Sequence, residues 1–177
     1  MKNKTIWSNR FKNKTSQSFQ KIGSSIHIDK RLYEQDIAAS IVHTQMLSKQ
    51  KIIKSEDANK IINGLKKIKA QIDKGNFEFK EKFEDIHLNI EKALFDIIGP
   101  SAGYMHTARS RNDQVVTDFK LWIKDASKEI LKDISLVMKN LLKKAEKNTD
   151  TVMPGLTHLK NAQPISFAHY LLSYFEM

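Results

Sequence analysis

The chain is 177 residues long, which allows one or two domains and a sizeable core. Hydrophobic residues make up 40% and glycine and proline are scarce, the balance of a soluble helical protein, and the lack of cysteine excludes a disulfide framework and thiol chemistry. The net charge of +10 would admit nucleic acid or an anionic surface as a partner, but the lysines are spread along the polar faces of the expected helices, so they read mainly as solvated surface whose positive field also favours a small anionic substrate.

Residues 1–29 are polar, rich in Lys, Asn and Ser, and read as an arm or extended loop; Met1 to Trp7 lack the apolar run of a secretory signal. A helix is expected from about Lys30, with Leu32, Ile37, Ile41, Met46 and Leu47 at mostly helical spacing. Ser55 is a candidate N-cap, followed by Glu56 and Asp57, which complement the positive end of a helix carrying Ile61, Ile62, Leu65, Ile68 and Ile72 to a stop near Gly75. Phe77 and Phe79 alternate briefly, as a short strand or as a loop anchored by two rings. A third helix is expected from about Asp85 to Ile98, stopped by Gly99-Pro100.

A very long helix is expected from about Asn112 to Asn148, because Phe119, Ile123, Ala126, Ile130, Ile134, Val137, Leu141 and Ala145 recur every three or four residues without Gly or Pro between them. Its stripe reads as core packing, and its length suits a bundle shared between subunits. Met153-Pro154-Gly155 should break it, residues 155–160 should form a loop, and Gln163-Pro164 should start a last helix with proline in its first turn. That helix is still apolar at Met177 with no terminator, so the chain is expected to be the N-terminal part of a longer one. The longest uncharged run, Asn161 to Phe175, is shorter than the ~20 apolar residues a bilayer span takes, so no membrane contact and a cytoplasmic location are expected. The expected fold is all-α: an N-terminal arm and helical domain over residues 1–108, then the beginning of a central helical-bundle domain over residues 109–177.

The chemistry concentrates in a few polar clusters. His106 to Gln114 packs two guanidiniums, a carboxylate, an imidazole and Ser, Asn and Gln into nine residues, too polar for a core element, since each unpaired buried polar group would cost roughly 1–3 kcal/mol. Lysine is the default cation here; only Arg10, Arg31, Arg109 and Arg111 are arginines, and two of these four sit in this segment, where a planar fork can bind a carboxylate through two parallel hydrogen bonds. The other clusters are Ser24-Ser25 with Asp29, Glu84-Asp85-Ile86-His87 with Glu91, and Gly155 to Lys160. Each has a plainer reading: Ser25 as an ordinary N-cap, His87 and Glu91 as a surface i, i+4 pair or two ligands of a zinc site lacking a third, His158 as a helix-end cap.

Together these clusters resemble the argininosuccinate lyases of the fumarase/aspartase superfamily. The resemblance runs in order through Trp7-Ser8-Asn9-Arg10-Phe11, Ser25 to Asp29, Lys30-Arg31-Leu32-Tyr33 with Asp36-Ile37-Ala38, Glu84 to His87, His106 to Gln114, Met153 to Leu159 and Ala162-Gln163-Pro164. It implies an all-helical homotetramer with each active site built from three subunits, and reversible elimination of arginine from argininosuccinate to give fumarate without metal or organic cofactor. By the same resemblance Ser25, Asn112 and Thr157 bind substrate, Ser110 and Arg111 hold a carboxylate, His158 belongs to the acid/base machinery, and Asp85, His87, His106 and Gln163 support the site. The chemistry is consistent: removing a proton beside a carboxylate needs a positioned base and acid, and the negative intermediate needs preorganised donors.

The chain departs from the family at Ser8-Asn9, where two glycines are usual, at Leu156, where an aromatic is common, and at Lys160, where Gln is. The family's mobile Ser-Ser-x-Met-Pro-x-Lys loop, with the other catalytic residue, would lie beyond Met177, so the 177-residue chain by itself is expected to be inactive. Two alternatives stand beside this reading. A catalytically idle relative, like the lens crystallins of this fold, is disfavoured by intact Arg111, Asn112, Thr157 and His158. A basic helical module for nucleic acid predicts affinity falling steeply with salt and no response to fumarate or arginine.

Overall fold

The computed structural model describes residues 16–177, so the Trp7 to Phe11 motif lies outside the described residues. The expected arm is helical in part. Ser16 caps α1 (Gln17–Gly23) by accepting the Phe19 N–H at 3.2 Å, and α2 (Ile26–Asp29) passes through a 3₁₀ turn at Lys30–Leu32 into α3 (Tyr33–Lys49). Phe19 and Ile22 of α1 stay exposed, so no apolar face marked this helix in the sequence.

α4 (Ser55–Asp73) starts one residue earlier than expected: Lys54, with extended backbone, holds the cap position and Ser55 is already helical. It ends in a Schellman arrangement, where Gly75 at φ +71° gives its N–H to Ile72 and Asn76 gives its N–H to Gln71, both at 2.9 Å. Phe77 and Phe79 lie in a loop, with ring centroids 5.0 Å apart in an edge-on pair. α5 (Ile86–Ile98) is capped by Asp85, whose carboxylate accepts the Leu88 N–H at 2.6 Å, and gives way at Gly99 to a 3₁₀ segment ending at His106. α6 (Arg111–Glu146) is 36 residues long, about 54 Å at 1.5 Å per residue.

The chain divides into two compact units, one ending at Trp122 and the other spanning Ile123–Met177, so the division falls within α6. In the first unit α3, α4, α5 and the following 3₁₀ segment bury Ile37, Ile61, Leu65, Ile68, Ile86, Ile90, Leu94 and Met105 in one core, with Trp122 packed against it. Each such side chain contributes roughly 1.5–3 kcal/mol on burial. Gly64 lets α4 approach α5 closely, since a Cβ there would run into Leu94.

The second unit corrects one expectation. Residues 155–164 are neither a loop nor the start of a helix; they belong to an antiparallel hairpin of β1 (Val152–Thr157) and β2 (Lys160–Ser166), and α7 (Phe167–Glu176) begins only after Ser166, whose hydroxyl accepts the His169 N–H at 3.1 Å. Pro154 faces Pro164 in the register. Both prolines are tolerated because a two-stranded ribbon has two free edges, where a missing N–H breaks no ladder bond. Gly155 is needed at the irregularity between Pro154 and Leu156: a Cβ there would sit 2.9 Å from the Gln163 carbonyl oxygen. Along the expected core stripe of α6, Ala145 packs with Ala168 and Leu171, whereas Ile130, Ile134 and Val137 are 58%, 50% and 59% exposed in the single chain.

Candidate functional site

The first unit draws three of the four polar clusters together around residues 84–85. Glu84 sits at φ 63°, ψ −63°, and the Asp85 N–H reaches the Phe83 carbonyl at 2.7 Å, the strained form of the γ-turn. This turn aims the Glu84 carbonyl at the serine cluster, where it accepts the N–H groups of Ser25 and Ile26 at 2.9 and 3.0 Å and the Ser24 hydroxyl at 3.3 Å. Ser25 stands at the cap position of α2 but makes no capping bond; its hydroxyl donates to Asp29 Oδ2 at 2.6 Å, while Asp29 Oδ1 accepts the Ile86 N–H at 3.2 Å. Burial raises the Asp29 carboxyl above its ordinary value, in spite of the Ser25 bond.

Asp85 also faces Arg111, with Oδ2 3.7 Å from Nε, and Glu91 lies 3.5 Å from Arg111 Nη2. Arg111 opens α6, so its guanidinium sits beside the positive end of a 36-residue helix, where an anion is favoured twice over. Ser110 accepts the Asn112 N–H at 3.2 Å; both side chains are exposed at this helix start. His106 is half-buried, and burial together with the charge of Arg111 pushes its imidazole below the ordinary value, towards the neutral form.

Behind Arg111 lies a buried network. Arg111 Nη1 donates to Gln114 Oε1 at 2.9 Å, and Gln114 Nε2 donates to Asp36 Oδ1. The same Asp36 oxygen is 3.0 Å from His87 Nδ1, which is 3.5 Å from Asp118 Oδ2, and all three side chains are buried. His87 therefore faces the protein interior and is not a surface partner of Glu91. Burial opposes charge on His87, but the Asp36 carboxylate outweighs it and raises the imidazole. Burial likewise opposes charge on Asp36, and His87, Gln114 and Asp118 outweigh it and lower the carboxyl. Asp118 takes the other course: burial and the neighbouring Asp36 charge push it up to about 8, so it is protonated at neutral pH. Arg109, bonded through Nη2 to Ser40 at 3.0 Å, adds its charge to both carboxyls.

The ligand atoms of Asp36, His87 and Asp118 lie within 4.8 Å of one another, a donor set that could hold a divalent ion of the zinc type. Arg109 and the His87 imidazole, raised by Asp36, lie beside the Asp36 carboxylate, so protein groups already compensate that charge. The signal for it was present but quiet. Arg111, Gln114 and Asp118 share one face of α6 at i, i+3 and i+7, and Asp36 and Ser40 follow Leu32 in steps of four where apolar residues would be expected.

Thr157, His158 and Gln163 lie in the second unit, on the hairpin, and all three are exposed. Thr157 pairs with Lys160, so His158 and Leu159 form the two-residue tip, at φ 51° and 63°. That tip needs left-handed backbone at both positions, which Asn-Gly would supply at little cost. An imidazole and an isobutyl group held there cost strain, which points to a role for what the tip presents.

A family described as Lyase matches over residues 9–177. The argininosuccinate lyase of Pelagibacter ubique is 59% identical over 175 residues, which are 99% of this chain and 38% of that protein. The argininosuccinate lyase of Bartonella bacilliformis is 47% identical, over 97% of this chain and 37% of its own length. The chain thus spans well under half the length of these curated relatives. Among solved structures, a variant of EDDS lyase with bound fumarate superposes with a TM-score of 0.68 at 28% identity, covering 93% of this chain and 33% of that one. A fumarate lyase from Mesorhizobium sp. BNC1 superposes with a TM-score of 0.66 at 20% identity, covering 94% of this chain and 39% of that one, a likeness of fold.

Proposed function

The chain belongs to this lyase family, and from that premise we propose that it carries the N-terminal portion of an argininosuccinate lyase, which eliminates arginine from argininosuccinate to leave fumarate. The observation that carries the reading is the convergence on residues 84–85 of the Ser25 segment and Arg111, distant in sequence and both tied to one strained turn. In the elimination, a base takes the proton from the carbon beside a carboxylate. The carbon–nitrogen bond then breaks, and an acid returns a proton to the leaving guanidino nitrogen.

The doubly negative intermediate needs fixed donors where its charge collects, and Arg111 with Ser110 at a helix N-terminus is such a site for one carboxylate. Ser25, Asn112 and Thr157 complete the substrate contacts in this reading. His158 moves a proton, and Asp85, His87, His106 and Gln163 hold the arrangement. The reaction as read needs neither metal nor organic cofactor. We extend the reading to a homotetramer with sites shared among subunits, which the uncovered stripe on α6 supports, and to a cytoplasmic location. Among the described residues no helix is long and apolar enough to cross a membrane.

The test is fumarate release from argininosuccinate by the full-length protein. Replacing His158 with Asn should leave the fold and lower kcat by ~10²–10⁴-fold, the usual weight of one acid or base. A His158→Asn enzyme with unchanged kcat would remove His158 from the machinery, and no fumarate release by the parent would defeat the assignment.

A further inference from the structure

Among the described residues the Arg111 guanidinium has two ion-pair partners and one hydrogen-bond partner. The Asp85 and Glu91 carboxylates stand 3.7 and 3.5 Å away, whereas Gln114 Oε1 accepts Nη1 at 2.9 Å. Gln114 is 2% exposed, and its other end donates to Asp36. A carboxylate can only accept, so the amide nitrogen must face Asp36 and the carbonyl must face Arg111. A turned amide would set acceptor against acceptor at Asp36 and donor against donor at Arg111. The orientation is therefore fixed from both sides.

Asp36 is held in turn by His87 at 3.0 Å, so the chain of contacts runs from the buried cluster out to a guanidinium that is 26% exposed. A neutral carbonyl can orient a guanidinium without cancelling its charge, which the two carboxylates beside it would do if they closed in.

We propose that Gln114, itself oriented by Asp36, is the positioning residue that sets the plane of the Arg111 fork for the substrate's carboxylate. The inference rests on the reading of Arg111 as the carboxylate holder. A guanidinium held edge-on through Nη1 leaves Nε and Nη2, whose carboxylate neighbours stand 3.7 and 3.5 Å away, to make two shorter parallel bonds to the substrate, and a fork turned out of plane keeps its charge but loses that geometry.

The full-length enzyme tests this through a double-mutant cycle of Gln114→Met and Arg111→Lys, with argininosuccinate as substrate. Gln114→Met should lower kcat/KM about tenfold, the weight of one charge-assisted hydrogen bond. In the Arg111→Lys background, where no fork remains to orient, the same change should add almost nothing. Equal losses in both backgrounds overturn the proposal. Should Gln114→Met not fold, Gln114→Asn, which keeps the amide but cannot span both partners, enters the same cycle, where the same results support or overturn the proposal. Arg111→Lys with unchanged kcat/KM would overturn the carboxylate-holding role and the inference with it. A loss in Arg111→Lys joined by an additive loss at Gln114 would overturn the inference alone.

Discussion

Asp118 shows what a single side chain contributes to this molecule and how pH should reveal it. Its carboxyl is raised from an ordinary 3.8 to about 8, by burial first and by Asp36 second. A raised carboxyl contributes stability that is fully present below the ordinary value and is lost as pH climbs through the folded one. Across that window the unfolded chain gains a solvated charge that the folded one resists. Asp118→Asn copies the protonated shape without the titration. The thermal midpoint of the full-length variant should therefore fall less between the two ends of that window than the parent's, and stand above it at the alkaline end. Parallel curves for parent and variant would mean that Asp118 is ionised in the fold. His87, raised by Asp36, adds stability that is likewise lost with rising pH, and Asp36, lowered, adds stability that is lost as pH falls. Asp118→Asn thus isolates one of three overlapping titrations.

Among the elements, the β1–β2 hairpin carries the clearest local logic. Its register depends on Gly155, beside which the Gln163 carbonyl passes too closely for any Cβ. Gly155→Ala should cost about 1–3 kcal/mol, as for other overpacked sites, and should shift the tip that presents Thr157 and His158. Fumarate release should then fall more than the thermal midpoint of the full-length enzyme suggests; a drop in the midpoint with full activity would mean that the tip is positioned independently of this contact. The hairpin was hidden in the sequence because Met153-Pro154-Gly155 and Gln163-Pro164 carry ordinary helix-breaking and helix-starting signals. Only cross-strand pairing, a long-range property, overrides them. The helices were legible where periodicity and punctuation agree: Asp85 and Gly99 bracket α5, and Gly75 ends α4.

For the whole molecule, the informative fact is an apolar face with no cover. Ile130, Ile134 and Val137 are each at least half exposed on α6, and isolated chains rarely leave such a contiguous stripe to water. In a self-assembling lyase this stripe would lie between subunits. A charge placed there should split the assembly: Ile134→Asp in the full-length protein should lower its mass in sedimentation or light scattering. Activity should fall with it if sites are shared. An unchanged mass would show that the stripe is covered from within the longer chain instead.

The helical class, the helix limits set by glycine, proline and aspartate, and the polar motifs on which the family rests are legible in the residues alone. All of these are encoded within a turn or two of the chain. The Asp36–His87–Asp118 cluster, the bridge from Gln114 to Arg111 and the strained turn at Glu84 arise only when the helices pack. They depend on which faces of α3, α5 and α6 meet, and on burial that converts ordinary carboxyls and an imidazole into a coupled charge network. Burial of polar groups follows from packing, and the spacing of Asp36, Gln114 and Asp118 along their helices marks the face but not the partners it meets.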